Sequence, residues 1–136
     1  MGYTNTFIVV AEDCGAVTGE VPPRRAGALT VAGLQHAMLS DQPGRLQQED
    51  VLLACAPGVR GRDDLTRAEL ARLREEYFAQ PRACLRASPL PKTYGWGLRY
   101  DDCGRITLHA VDSAEYLRLS QDPSLTQLRA MRSRRV

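Results

Sequence analysis

Hydrophobic and polar positions alternate most regularly between residues 94 and 111. Tyr94, Trp96, Leu98 and Tyr100 alternate with Gly95, Gly97 and Arg99, and Ile106, Leu108 and Ala110 alternate with Thr107 and His109. A period of two marks a strand with one buried face. Asp101-Asp102-Cys103-Gly104 separates the two runs, so the pattern predicts a β-hairpin. A three-residue loop, with a type I turn at Asp102-Cys103 and Gly104 in the left-handed region, pairs Tyr100 with Ile106, Leu98 with Leu108 and Trp96 with Ala110. Both apolar faces then coincide. A one-residue slip would set Trp96 against His109 and split the apolar residues between the faces, which a half-buried sheet resists.

The other elements are read in the same way. Thr6 to Ala11 is a β-rich run suited to a first strand. Gly15, Gly19, Pro22, Pro23 and Gly27 break any period between Asp13 and Leu29, a loop that also carries Arg24-Arg25. Thr30 can cap a helix whose apolar residues Val31, Leu34 and Met38 end before Pro43-Gly44. Val51 to Ala56 reads as a short buried strand, although so short a run also fits a helix. Thr66-x-x-Glu69 is a capping box, followed by Leu70, Leu73 and Tyr77 as a buried stripe. Asp112-x-x-Glu115 opens another short helix, and Asp122-Pro123 starts a last one that Leu125, Leu128 and Met131 would dock. Strands and helices do not alternate as βαβ units. The expectation is an α+β fold, one domain over residues 1–136, with helices packed on an antiparallel sheet.

Composition narrows the class. At 136 residues and 43% apolar, the chain can bury one core without disulfide or metal, and two large domains are excluded. No apolar run reaches the roughly 18 residues of a membrane span, and the first ten residues have neither a basic start nor a cleavage site, so the expected setting is the cytoplasm. Charge is uneven. Residues 1–81 hold eight arginines against eleven acids, a net of −3, whereas residues 82–136 hold nine arginines and Lys92 against five acids, a net of +5. A pI near 8.4 falls short of a dedicated nucleic-acid binder, and the arginine-rich ending from Leu128 to Arg135 lacks aromatic platforms or a reading helix. Nucleic acid is therefore not an expected partner. Cations at a helix end already account for that run.

Candidate chemistry comes from four places. The hairpin register sets His109 opposite Gly97 and Val111 opposite Gly95, with Arg99 beside Thr107, so that face has bare backbone at two positions. One reading is a shallow pocket floored by Gly95 and Gly97, with His109 and Arg99 supplying a titrating group and a fixed positive charge. The commoner use of strand glycine is close packing by another element. Ahead of the hairpin, the strap Cys84-Leu-Arg86-Ala-Ser88-Pro-Leu-Pro91-Lys92 carries two prolines that fix an extended path and prevent a helix. It brings Arg86, Ser88 and Lys92 close to Tyr94, donors enough for a carboxylate or phosphate, or simply a soluble connector. The four cysteines, Cys14, Cys55, Cys84 and Cys103, form no Cys-x-x-Cys pair, and His36 and His109 stand far apart, so no metal site or disulfide is expected. Cys55 reads as a small core residue and Cys103 as exposed in the turn. A cysteine enzyme, with Cys84 or Cys14 activated by His109, is the alternative to a binding protein. No cofactor is indicated: Gly95-x-Gly97 lies in a strand and lacks the helix of a phosphate loop. An oligomeric module remains a third reading, which requires a large exposed apolar patch.

Taken together, Tyr3-Thr-Asn-Thr6-Phe7, Glu12-Asp13-Cys14, the run Cys84-Leu-Arg-Ala-Ser-Pro-Leu-x-Lys92-x-Tyr94-Gly-Trp-Gly97 and the ending Ala130-Met-Arg-Ser133 resemble a family of short bacterial proteins that form a domain of unknown function. The resemblance spans nearly the whole chain but departs from the family at residues 24–33 and 57–64. It implies no catalytic residue, cofactor or substrate. The functional expectation is a small cytoplasmic binding protein holding an anionic small molecule, with Arg86, Ser88, Lys92, Tyr94, Gly97, Arg99 and His109 as candidate ligand-binding residues and no membrane partner.

Overall fold

A computed structural model describes residues 2–133. Four strands form one sheet in the order β3-β2-β1-β4: β1 is Thr6–Val9, β2 Trp96–Tyr100, β3 Ile106–Ala110 and β4 Thr126–Arg129. The fold is α+β. The hairpin has the expected register, with Trp96 on Ala110, Leu98 on Leu108 and Tyr100 on Ile106. Its three-residue loop closes through Asp101 N to Arg105 O at 2.9 Å and Gly104 N to Asp101 O at 3.1 Å, with Gly104 at φ +79°. β1 runs antiparallel to β2, but β4 runs parallel to β1, so the sheet is mixed rather than antiparallel. The cause is the crossover. After β3 the chain makes helix α5 (Ala114–Ser120, capped by Ser113) and returns to the free edge of β1 in the same direction.

Three expectations of element type are corrected. Residues 51–54 belong to helix α2 (Gln48–Ala54), begun where the Asp50 carboxylate accepts Gln47 N–H at 2.9 Å; Cys55 is its half-buried C-cap and Ala56 lies beyond it. The apolar run was one side of a helix whose buried positions Gln48 and Val51 recur at three. Asp122-Pro123 starts no helix. Asp122 instead holds a turn by accepting the N–H and hydroxyl of Ser124, and residues 126–129 satisfy the open edge of β1; Met131, expected to dock, is 53% exposed. Third, the strap is not extended: Leu85–Ala87 form a 3-10 turn and Pro89–Lys92 a helical turn, α4. Ser88 caps it, Pro89 takes its first position and Pro91 its third, where backbone N–H groups have no intrahelical acceptor and proline loses nothing.

Helix α1 (Val31–Asp41) is capped by Thr30 as expected, yet its buried residues are Ala32, Gly33, Gln35 and Leu39 rather than Val31, Leu34 and Met38. Helix α3 (Arg67–Phe78) has the expected capping box, with Thr66 and Glu69 bonded reciprocally at 3.1 Å. Its stripe is not buried, because α3 lies at the periphery, tied to α2 by Arg74 to Glu49 at 2.9 Å. Among the described residues no helix is long and apolar enough to cross a membrane.

The sheet separates two apolar clusters. On one face Ile8, Leu98, Tyr100 and Ile106 meet Leu39, Val51, Leu85 and Leu90 from α1, α2 and the strap. On the other, Phe7 meets Leu119 and Leu125, with Val9 and Tyr116 against them. This second, smaller cluster decides what happens above Gly97.

Candidate functional site

The hairpin turns its aromatic side inward and His109 and Arg99 toward α5, as the register requires, but the bare backbone beside them is covered. A Cβ on Gly97 would lie 2.6 Å from Phe7 Cζ and 2.8 Å from Tyr116 Cε2. The two rings meet edge to face at 5.2 Å between centroids, and the Tyr116 hydroxyl accepts Val10 N–H at 3.0 Å. Gly95, at φ +78°, is covered by the loop before α1: its Cβ would strike Thr18 O at 2.3 Å. The pocket reading over Gly95 and Gly97 therefore fails, and the commoner use of strand glycine, close packing by another element, holds. Glycine is needed here because aromatic rings and a crossing main chain take the side-chain space.

His109 is half-buried against Phe7, its Nε2 2.9 Å from Thr107 Oγ1. Burial lowers its pKa; Arg99 and Arg118 act in the same direction, while Glu115 opposes them. Arg99 is half-buried, and its Nε lacks a hydrogen-bond partner among the described residues. These two sit on the α5 face. Ser88 and Tyr94 belong to the opposite layer, so the candidates do not form one site. Arg86 is drawn to the sheet edge, where its Nε donates to Arg129 O at 2.9 Å and its carbonyl accepts Met131 N–H at 2.9 Å. Lys92 ends α4 half-buried. Ser88 is buried and donates to Gln35 Oε1 at 2.5 Å, while its hydroxyl accepts Leu90 N–H at 3.1 Å.

Among the described residues no thiol is hydrogen-bonded to a histidine. Cys84 pairs with the Tyr3 hydroxyl at 3.1 Å, on the face of the sheet away from His109. Tyr3 is itself held protonated above its usual range, by burial and then by that thiol. Cys14 packs against the larger cluster. Burial pushes the Cys55 thiol up, the opposite of nucleophile activation. Cys103 is exposed, as the turn predicted. Asp101, Asp102 and Cys103 bring ligand atoms within 4.8 Å, but Asp101 Oδ1 already accepts the N–H groups of Cys103 and Arg105 at 2.8 Å. That geometry makes the turn. Arg134 and Arg135 of the basic ending lie outside the described residues.

What the structure does assemble is a pair of hollows along the strap. The first, about 480 Å³, is walled by Arg25, Arg60, Tyr94, Pro89 and residues 28–32. Neither arginine forms an ion pair among the described residues, and no acid lines the wall. The first turn of α1 is part of it, so the positive end of the helix dipole adds to the same sign. The second, about 420 Å³, is walled by Val31, Leu52, Tyr77, Ala87, Cys55 and Cys84 among others, over the Ser88–Gln35 hydrogen bond. Val31 and Pro89 line both hollows, which therefore run on from one another.

Cys84, Ala87, Ser88, Pro89 and Tyr94, all from the run that carried the resemblance, line this groove. A model of a family of unknown function, DUF6157, matches residues 1–136. The chain belongs to that family. No curated protein and no solved structure matches it. Membership therefore adds no substrate or residue role, and the chemistry rests on the groove itself. Sequence reading located Ser88 and Tyr94 but not Arg60 or Gln35. Gln35 had a signal: it stands three after Ala32 and four before Leu39, on the buried side of α1. Arg60 had none, since only tertiary folding brings it toward Arg25 and Tyr94.

Proposed function

We propose that this DUF6157 chain is a binding protein for an anionic small molecule, held in the hollow between Arg25, Arg60 and Tyr94. The observation that carries the reading is two arginines without carboxylate partners facing a hollow of about 480 Å³ whose wall holds no acid. Guanidinium groups bind carboxylates and phosphates through paired N–H donors, and a tyrosine hydroxyl adds a second kind of donor. The size is that of an ordinary small-molecule site. Ser88 supports the site without touching the anion, because its hydroxyl is spent on Gln35 and Leu90. Arg86, Lys92, Arg99, His109 and Gly97 fall outside this hollow's wall.

A cytoplasmic, bacterial setting and a single working domain fit this reading, four free thiols being suited to a reducing compartment. No observation favours the cysteine-enzyme alternative, a nucleic-acid partner or a homo-oligomer. The test is calorimetric titration with inorganic phosphate and acetate, paired with thermal unfolding. A ligand at a hundred times its Kd stabilises by about 2.7 kcal/mol, and Arg25→Gln and Arg60→Gln should each weaken binding at least tenfold while unfolding like the parent. Absence of stabilisation by either anion, or unchanged affinity in both variants, overturns the reading.

A further inference from the structure

The second hollow opens off the first at Val31 and Pro89 and differs from it in chemistry. Its buried polar pair, Ser88 and Gln35, is bonded to itself. Ser88 donates to Gln35 Oε1 at 2.5 Å. At the rim, Arg82 lies 3.9 Å above the Tyr77 ring and spends its Nε on Tyr77 O at 2.8 Å. Away from that guanidinium, a guest meets Val31, Leu52, Ala87 and Pro89 and the two cysteines. A ligand filling only the arginine hollow would leave the surface of Val31, Leu52 and Ala87 to water, and an apolar group placed against it gains the free energy of leaving water.

We infer that the anion bound at Arg25 and Arg60 carries an apolar tail, so that the ligand class is a phosphate monoester or carboxylate with an alkyl or aryl body seated between Val31, Leu52 and Ala87. The inference rests on the anion site proposed above. Charge favours the head in the first hollow, because Arg25, Arg60 and the start of α1 face it together, whereas the second holds the single guanidinium of Arg82, which lies on the Tyr77 ring and spends its Nε on Tyr77 O. The body runs along α4 past Pro89. Cys55 and Cys84 then become the covered walls of the occupied site.

The experiment is a calorimetric series from inorganic phosphate through methyl, propyl and hexyl phosphate on the intact chain. Burial of each methylene is expected to tighten binding about fourfold until the hollow is full. In parallel, the rate of iodoacetamide labelling is read at each cysteine. Hexyl phosphate should slow labelling of Cys55 and Cys84 and leave Cys103, on the exposed hairpin loop, unchanged. Inorganic phosphate should protect none of the three. Ala87→Trp should flatten the chain-length series while inorganic phosphate binds as before; because the wild-type labelling is a separate readout, misfolding of that variant leaves the question decided. Phosphate binding with a flat series and unprotected thiols refutes the tail and leaves the anion site standing. Failure of every member of the series removes both.

Discussion

Gly97→Ala tests whether the smaller cluster, rather than a ligand, owns the space above the hairpin. The added methyl would sit 2.6 Å and 2.9 Å from Phe7 Cζ and Cε1 and 2.8 Å from Tyr116 Cε2. Carbon atoms pack at about 3.5–4.0 Å, so both rings must retreat by about 1 Å. Neither can do so cheaply. Phe7 is fully buried in a central strand, and Tyr116 is anchored by its bond to Val10 N–H at 3.0 Å. Overpacking of this kind costs about 1–3 kcal/mol. With a urea dependence of about 1–3 kcal/mol per molar, the midpoint should fall by about 1 M at unchanged slope. Unfolding followed by Trp96 fluorescence and far-UV circular dichroism measures it. Gly15→Ala is the control, since nothing lies within 4 Å of its Cβ. Adding Phe7→Leu should recover part of the loss, leaving the double variant about 1 kcal/mol better than the sum of the single costs. A Gly97→Ala protein with the parent's midpoint, or strictly additive costs, would refute the packing argument.

Three further outcomes follow from the same geometry. Ser88→Ala removes the cap of α4 and leaves Gln35 Oε1 and Leu90 N–H without their partner, so it should cost about 1–2 kcal/mol in a urea titration. His36 and His109 are both held below the ordinary histidine range, by burial first. The unfolded chain therefore takes up protons first as pH falls through about 6.5, so stability present above that pH should decline toward pH 5, and His109→Gln should shallow the decline. Disulfide exchange with a chromogenic reagent at pH 8 should label exposed Cys103 fastest and Cys55, whose thiol burial keeps protonated, slowest; the reverse order would contradict the fold.

The hairpin, its register and its loop were legible in the sequence because alternation and one glycine turn act over neighbouring residues. The capped starts of α1 and α3 were legible for the same reason, since Thr30 and Thr66 bond to amides three residues on. Short apolar segments were not. Residues 51–56 carry too few positions to separate a period of two from one of 3.6, and residues 126–129 became a strand only because β1 offered an open edge more than a hundred residues earlier.

The site divides along the same line. From its own order of residues the chain determined that Ser88 and Tyr94 stand on a special segment and that the face opposite Trp96 carries glycine. Which neighbours fill or spare those positions was decided by tertiary structure alone. Phe7 and Tyr116, ninety and nineteen residues from Gly97, close one space, and Arg25 and Arg60, from opposite sides of α1 in sequence, line another. Hydrogen bonds and periodicity are local and leave a trace in short windows, whereas burial and the meeting of charges depend on which distant segments the folded chain brings together.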